Sequence, residues 1–329
     1  MEVLFKILRQ NTNGLPHLET FTLEVEAGNT ILECLNRIKW EQDGSLAYRK
    51  NCRNTICGSC GMKINGRAAL ACKENVGNEL ERFPNTSGGE TREITIAPLG
   101  NLPVVKDLIV DMKPFWDDLE RVDPYVSAKS RSIEEGEFLQ TPDQRAKLND
   151  MGNCIMCGAC YSECNAKAVN SDFVGPHALA KANRTLTDTR DSATRQRLEK
   201  YNTGTAGVWG CTRCYMCNTV CPMDVAPLDQ ISKIKQEILA SNEDDSTRAI
   251  RHRRVLIDLV KEGGWIDERK FGLYVVGNYF KDLQGLLSLA PLGFRMILAK
   301  KFPLSFEPSA GTETVRNLIE SVQNSEKSL

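Results

Sequence analysis

CIMCGACYSEC occupies residues 154–164, and CTRCYMCNTVCP occupies residues 211–222. Each is a Cys-x2-Cys-x2-Cys-x3-Cys run. The first holds Cys154, Cys157, Cys160 and Cys164; the second holds Cys211, Cys214, Cys217 and Cys221 and ends on Pro222. This spacing lets thiolates wrap cubane 4Fe–4S clusters, and where two runs share a chain the fourth cysteine of each ligates the other cluster. The expected sets are therefore Cys154, Cys157, Cys160 with Cys221, and Cys211, Cys214, Cys217 with Cys164. A zinc site built from four cysteines has no reason to repeat the x2–x2–x3 period.

Upstream, CRNTICGSCGMKINGRAALAC (52–72) carries a third set: Cys52, Cys57, Cys60 and Cys72. The x4–x2 loop followed by a distant fourth cysteine is the plant-type 2Fe–2S pattern. Two irons need four anionic sulfurs from a loop that curls around them. Gly58 and Gly61 permit backbone turns that a Cβ would obstruct, and backbone N–H groups turned inward can stabilise the charge. The zinc alternative uses two separated Cys-x2-Cys pairs, which this loop lacks. Three histidines occur, none inside a cysteine run, so the donors are all thiolate. Of 13 cysteines these sets use twelve. The last, Cys34, falls on an apolar helix face and reads as a small buried hydrophobe.

Around these runs the chain reads as two domains and an extension. Residues 2–9 and 21–25 are strand-like, with an Asn13-Gly14 turn signal between them. Ile31, Cys34, Leu35 and Ile38 recur at helical spacing after Gly28-Asn29-Thr30. Asn65-Gly66 marks a tight turn between short strands, and Glu93–Ala97 is a returning strand ending before Pro98. These elements describe a small β-rich α+β domain. Residues 104–126 read as a connector, residues 177–201 as a charged helical stretch between the two cysteine runs, and Pro227 to Leu239 as a helix.

Composition excludes several classes. The 42 lysines and arginines against 43 aspartates and glutamates leave a net charge of −1, so nucleic acid is not an expected partner. The stretch Leu283 to Ala299 is broken by Pro291 and Arg295 and is too short to span a bilayer. Met1-Glu2-Val3 opens a strand rather than a targeting peptide. No G-x-G-x-x-G follows a strand, so flavin and nicotinamide sites are not expected. No acid–base or nucleophilic constellation is present either; no catalytic residue is expected on this chain.

The order of these motifs, with PLGNLPVVKDLIVDM (98–112) and FVGPHALAKANR (173–184), resembles the iron–sulfur subunit of succinate dehydrogenase and fumarate reductase over about residues 1–240. The resemblance implies an α+β architecture: an N-terminal β-grasp 2Fe–2S ferredoxin-like domain (1–105), then an α-helical ferredoxin-like domain with two cubane clusters (106–245). Residues 246–329 are a C-terminal extension suited to partner or membrane-surface docking. It further implies a flavoprotein partner with FAD that oxidises succinate to fumarate, electrons passing through the three clusters toward quinone, and a peripheral place on the cytoplasmic side of a membrane.

The chain departs from many family members in two respects. Cys214 completes its run where they lack a cysteine, so the third cluster is expected to be 4Fe–4S; it would be 3Fe–4S if Cys214 were not a ligand. After Cys164 the chain reads Asn165-Ala166-Lys167-Ala168-Val169 instead of the Pro-Ser and tryptophan of the usual quinone site, which points to a cysteine-rich, heterodisulfide-reductase-like anchor subunit. Alternatives of fumarate reductase, of another heterodisulfide-reductase-like redox complex, and of a zinc-stabilised interaction scaffold stand beside this reading.

Overall fold

The computed structural model describes residues 1–10, 14–84, 92–128, 136–241, 247–302 and 305–327. Asn13 of the Asn13-Gly14 turn and the boundary at 245/246 lie outside the described residues. Two compact units emerge, Met1–Ile238 and Leu239–Leu329.

In the first unit, β1 (Glu2–Arg9) pairs antiparallel with β2 (His17–Glu24) and parallel with β5 (Glu93–Ala97). On the other side of β5 lie β3 (Gly61–Ile64) and β4 (Arg67–Leu70), giving the order β2-β1-β5-β3-β4. Alternation along β1 sends Val3, Phe5 and Ile7 into the core, where they are fully buried with Ile94 and Ile96 of β5. The β3–β4 turn is two residues long, and Asn65 (φ 48°) and Gly66 (φ 79°) take the left-handed conformations a tight hairpin demands.

Helix α1 (Ile31–Arg37) covers the sheet with Ile31, Leu32, Cys34 and Leu35. Its start is fixed by a capping box: Glu33 N–H donates to the Thr30 hydroxyl at 3.1 Å, and Thr30 N–H donates to Glu33 Oε2 at 2.8 Å. The chain then widens by one turn, Asp43 N–H reaching Ile38 O at 2.9 Å. Cys34 is buried in this core, and burial pushes its thiol up to about 12. Helix α2 (Val76–Arg82) completes the domain.

The expected connector is more ordered than its composition indicated. Val104–Lys106 (β6) and Ile109–Val110 (β7) form a small ribbon turned at Asp107, followed by α3 (Lys113–Glu120). Two short helices, α4 (Pro142–Ala146) and α5 (Asn149–Gly152), lead into the first cysteine run. That run contains α6 (Ala159–Ser162) and is followed by α7 (Asn165–Val169). The helical stretch expected over 177–201 is two helices, α8 (Gly175–Thr187) and α9 (Thr194–Tyr201). Buried Asp188 and Asp191 hold the break between them, accepting from Arg190 and Arg197. The second run contains α10 (Met216–Thr219), which packs on α6, and is followed by α11 (Pro227–Ala240).

In the second unit, α12 (Arg248–Gly263) packs on α13 (Glu268–Val275) and on α15 (Thr312–Lys327). Val255, Leu259 and Val275 form its small core. Helix α14 (Leu283–Leu298) has no buried residue. Among the described residues, no helix is long and apolar enough to cross a membrane.

Candidate metal centres

The loop between α1 and β3 winds because three residues take left-handed conformations: Arg53 (φ 62°), Thr55 (φ 69°) and Gly58 (φ 68°). Each non-glycine there costs about 1 kcal/mol or more, a strain held by what the turns achieve. They aim backbone donors at sulfur. Cys57 N–H reaches Cys52 Sγ at 3.2 Å, and both Cys52 N–H (to Cys57 Sγ) and Asn54 N–H (to Cys52 Sγ) do so at 3.5 Å. Burial would raise the Cys57 thiol, but the Ser59 hydroxyl 3.1 Å away and backbone N–H groups draw it down to about 6. Cys60, on the core side, is pushed up to about 12 by burial, with Cys72 and Cys57 beside it. Thr55 Oγ1 stands 4.0 Å from Cys72 Sγ. The structure thus brings Cys52, Cys57, Cys60 and Cys72 into one neighbourhood.

The two later runs share one backbone conformation. Met156 (φ 56°) and Gly158 (φ 81°) in the first correspond to Arg213 (φ 58°) and Tyr215 (φ 68°) in the second. Left-handed residues thus fall two and four positions after the leading cysteine of each. The closing cysteines are matched too: Lys167 N–H reaches Cys164 Sγ, and Val225 N–H reaches Cys221 Sγ, both at 3.4 Å.

The sulfurs face two cavities. One encloses about 400 Å³ of atom-free space, part of it open to solvent, and is lined by Cys154, Cys157, Cys160 and Cys221 among apolar neighbours such as Phe115, Met223 and Val225. The other, about 300 Å³, is lined by Cys164, Cys211, Cys214 and Cys217 with Phe173, Leu228 and Ile231. Helix α8 separates them, His177 and Ala180 facing the first and Pro176 the second. Among the described residues, no three Cys, His, Asp or Glu side chains converge as they would on one bare ion; the sulfurs ring cavities instead.

Burial raises these thiols: Cys157 to about 11, Cys217 to about 12, and Cys160 well above its ordinary range. These cysteines would hold iron as thiolates, so binding a cluster would release their protons. Four sulfurs around each cavity, with inward backbone donors, fit a cluster of several irons. When bound, such clusters take up and release single electrons.

Two contacts put the three sites in series. An added Cβ on Gly58 would lie 2.9 Å from Cys157 Cα, and one on Gly61 would lie 2.8 Å from Cys157 O. The first loop therefore touches the backbone of a second-site cysteine. Farther on, α6, which carries Cys160, packs on α10, which carries Cys217 of the third cavity. Sequence reasoning assigned Gly58 and Gly61 to local turning; their role in close approach depends on a residue about a hundred positions away and has no local signal. Gly61→Ala is expected to retain its iron, to lose about 1–3 kcal/mol of stability through overpacking, and to slow dye-linked electron transfer between the first two sites. Unchanged stability and turnover would show that the seam is looser than this contact.

The 98–112 motif also acquires a task. Asn101 Nδ2 donates to Tyr161 O at 2.8 Å, Cys164 O at 3.1 Å and Ser162 O at 3.2 Å, and Gly100 N–H donates to Ser162 Oγ at 2.8 Å. It ties the end of the first cysteine run to the sheet domain. Lys167 is held by Asp118 at 2.6 Å and by the Ser171 and Phe173 carbonyls, so the segment after Cys164 is a braced helix. His177 is fully buried and stacked on Phe115 at 3.8 Å, its Nε2 2.8 Å from Phe115 O, and burial lowers its pKa to about 4.

Comparison with known proteins finds two matching families. Residues 4–117 match a family described as a 2Fe-2S iron-sulfur cluster binding domain, and residues 150–225 match a 4Fe-4S dicluster domain. The fumarate reductase iron-sulfur subunit of Escherichia coli O6:H1 is 36% identical over 234 residues, covering 70% of this chain and 91% of the relative. The succinate dehydrogenase iron-sulfur subunit of Coxiella burnetii is 34% identical over 244 residues, covering 73% and 98%. A chain of the Mycobacterium smegmatis Sdh1 complex superposes with a TM-score of 0.64 at 23% identity, over 75% of this chain and 99% of that one, and shows the same fold. With a sheet-borne 2Fe–2S domain, a helical 4Fe–4S domain and relatives matched over nearly their whole length, the chain belongs to the family of iron–sulfur, electron-transfer subunits of succinate dehydrogenase and fumarate reductase.

Proposed function

We propose that this chain carries electrons singly from an FAD-containing flavoprotein subunit, which oxidises succinate to fumarate, to a membrane-anchor subunit and on to quinone. The observation that carries the reading is the serial arrangement: Gly58 and Gly61 against Cys157, then α6, which bears Cys160, packed on α10, which bears Cys217. We assign Cys52, Cys57, Cys60 and Cys72 to the 2Fe–2S cluster. Cys154, Cys157, Cys160 and Cys221 take a 4Fe–4S cluster, and Cys164, Cys211, Cys214 and Cys217 the third. Residues 1–105 are the 2Fe–2S module, 106–245 the dicluster module and 246–329 the docking extension.

Both ends of the relay reach the surface. Exposed Ile56, with Arg49 and Arg53 nearby, marks the entry loop; exposed Cys214 and Tyr215 mark the exit. The middle cavity is lined by apolar side chains, which suits a site that only passes charge along. The same relay run backward would serve fumarate reduction. The braced helix after Cys164 carries none of the residues of the usual quinone site, which supports a cysteine-rich, heterodisulfide-reductase-like anchor as acceptor. We propose a peripheral place for the subunit on the cytoplasmic face of the membrane.

Anaerobic co-purification tests the reading: a bound flavoprotein that reduces dye with succinate is expected, and purification with no such partner would overturn it. For the third site, Cys214 lines the cavity with the other three, so we assign 4Fe–4S. Wild-type protein is expected to lack an oxidised 3Fe–4S signal in EPR, and Cys214→Val is expected to create one. A strong 3Fe–4S signal in intact, anaerobic wild type would remove Cys214 from the ligand set.

A further inference from the structure

Helix α14 leaves a long apolar surface in water. Its 16 residues make a rod about 24 Å long. Leu286 and Leu289 lie toward its own unit, Leu289 beside Gly272 and Leu286 against Gly277, where an added Cβ would collide with Leu286. Leu283, Leu287, Phe294, Ile297 and Leu298 fall together on a neighbouring arc, each more than half exposed. Polar Gln284, Ser288 and Arg295 share the next arc. The helix therefore has one face spent on packing and another, equally apolar, that nothing in its unit covers. Contiguous apolar patches of this kind mark interaction sites.

Charge identifies the occupant. In a chain whose net charge is −1, residues 281–302 carry four cations, Lys281, Arg295, Lys300 and Lys301, against one carboxylate, Asp282. That carboxylate is engaged as the helix cap, accepting from Gly285 N–H at 2.7 Å. All four cations are exposed, and they sit just before, beside and just after the apolar arc. A helix with a Leu/Phe/Ile face, a rim of Lys and Arg and too little length to span is built to lie in a lipid headgroup layer.

We infer that α14 is an interfacial helix: Leu283, Leu287, Phe294, Ile297 and Leu298 enter the acyl boundary of a membrane leaflet, and Lys281, Arg295, Lys300 and Lys301 pair with anionic lipid headgroups. This deepens the reading of a peripheral subunit and rests on it. It adds that this chain holds the membrane itself rather than only through its anchor.

The test uses the full chain with its clusters assembled anaerobically, and reads lipid binding without turnover, so that a failed electron route and a failed lipid site are distinguishable. Co-sedimentation is compared on phosphatidylcholine vesicles and on vesicles with about 30% phosphatidylglycerol, a typical anionic surface. Binding to the anionic vesicles is expected to be about tenfold stronger and to weaken with added salt. Leu287→Glu/Phe294→Glu, at exposed positions, is expected to abolish it with iron content and flavoprotein binding intact. Lys300→Glu/Lys301→Glu is expected to remove the preference for anionic vesicles. Absent wild-type binding to anionic vesicles, or equal binding by Leu287→Glu/Phe294→Glu, overturns the inference and gives the stripe to a protein partner.

Discussion

Cys221→Ala is expected to remove the cluster of the first cysteine run, not of the run that contains Cys221. Iron should fall from roughly ten atoms toward six, the third-site signal should survive, and electron transfer should stop at the first cluster. The expectation follows from the cavities. Cys221 lines the one formed by Cys154, Cys157 and Cys160, together with Pro222, Met223 and Val225 that follow it in the chain. Its sulfur is set there by the Val225 N–H. Cys164→Ala should do the reverse, because Cys164 faces Cys211, Cys214 and Cys217. EPR and iron analysis on anaerobic protein read both variants. If each variant lost the cluster of its own run, the crossed assignment would be wrong. The pair also guards against simple misfolding, since an unfolded variant would lose both helical-domain clusters.

Arg9→Ala is expected to cost about 3–5 kcal/mol. Arg9 ends β1 almost wholly buried. Its guanidinium donates to Asp107 Oδ1 at 3.1 Å and to Ser45 Oγ at 2.9 Å, and pairs with Asp43 and Glu19. Asp107 is itself buried and also accepts from Ala47 N–H at 2.9 Å. Removing the cation strands that carboxylate inside the fold. The β6–β7 turn would keep its backbone hydrogen bonds to Gln10 and Ala47 but lose the side-chain tie to β1. The melting midpoint, followed by visible absorption and circular dichroism, should drop by about 10 °C. Arg9→Lys should recover only part of this, because an ammonium cannot reproduce the fork. Hydrogen bonds from Ser45, then Arg9, hold the Asp43 carboxyl down to about 2. Its contribution is therefore complete above its ordinary value near 4 and is lost as pH falls toward 2. An unchanged midpoint in Arg9→Ala would mean that water reaches Asp107.

Elements whose signals are local were legible before the fold was seen. The Ile31, Cys34, Leu35 spacing identifies the face of α1 that is buried, and Asn65-Gly66 marks a real two-residue hairpin turn. The ribbon at 104–110 was not legible. Its strands are two and three residues long, and Asp107 is held there by Arg9, 98 positions away. Likewise the break between α8 and α9 depends on buried carboxylates that resemble surface charge in a list of residues. The order of the sheet is also invisible locally, since β5 slots between β1 and β3 through pairs such as Phe5 with Ile94.

By itself the amino-acid order determined the chemistry: which side chains are thiols, how closely they follow one another, and hence the kinds of cluster each loop has the reach to wrap. Reach of a few residues is a property of the local chain. The tertiary structure alone decided which apolar side chains wall the two cavities, that Gly58 and Gly61 press against Cys157, and that α14 keeps an apolar face in solvent. Those outcomes depend on closing segments of fifty to a hundred residues and on which surfaces are already taken, and no spacing along the chain encodes either.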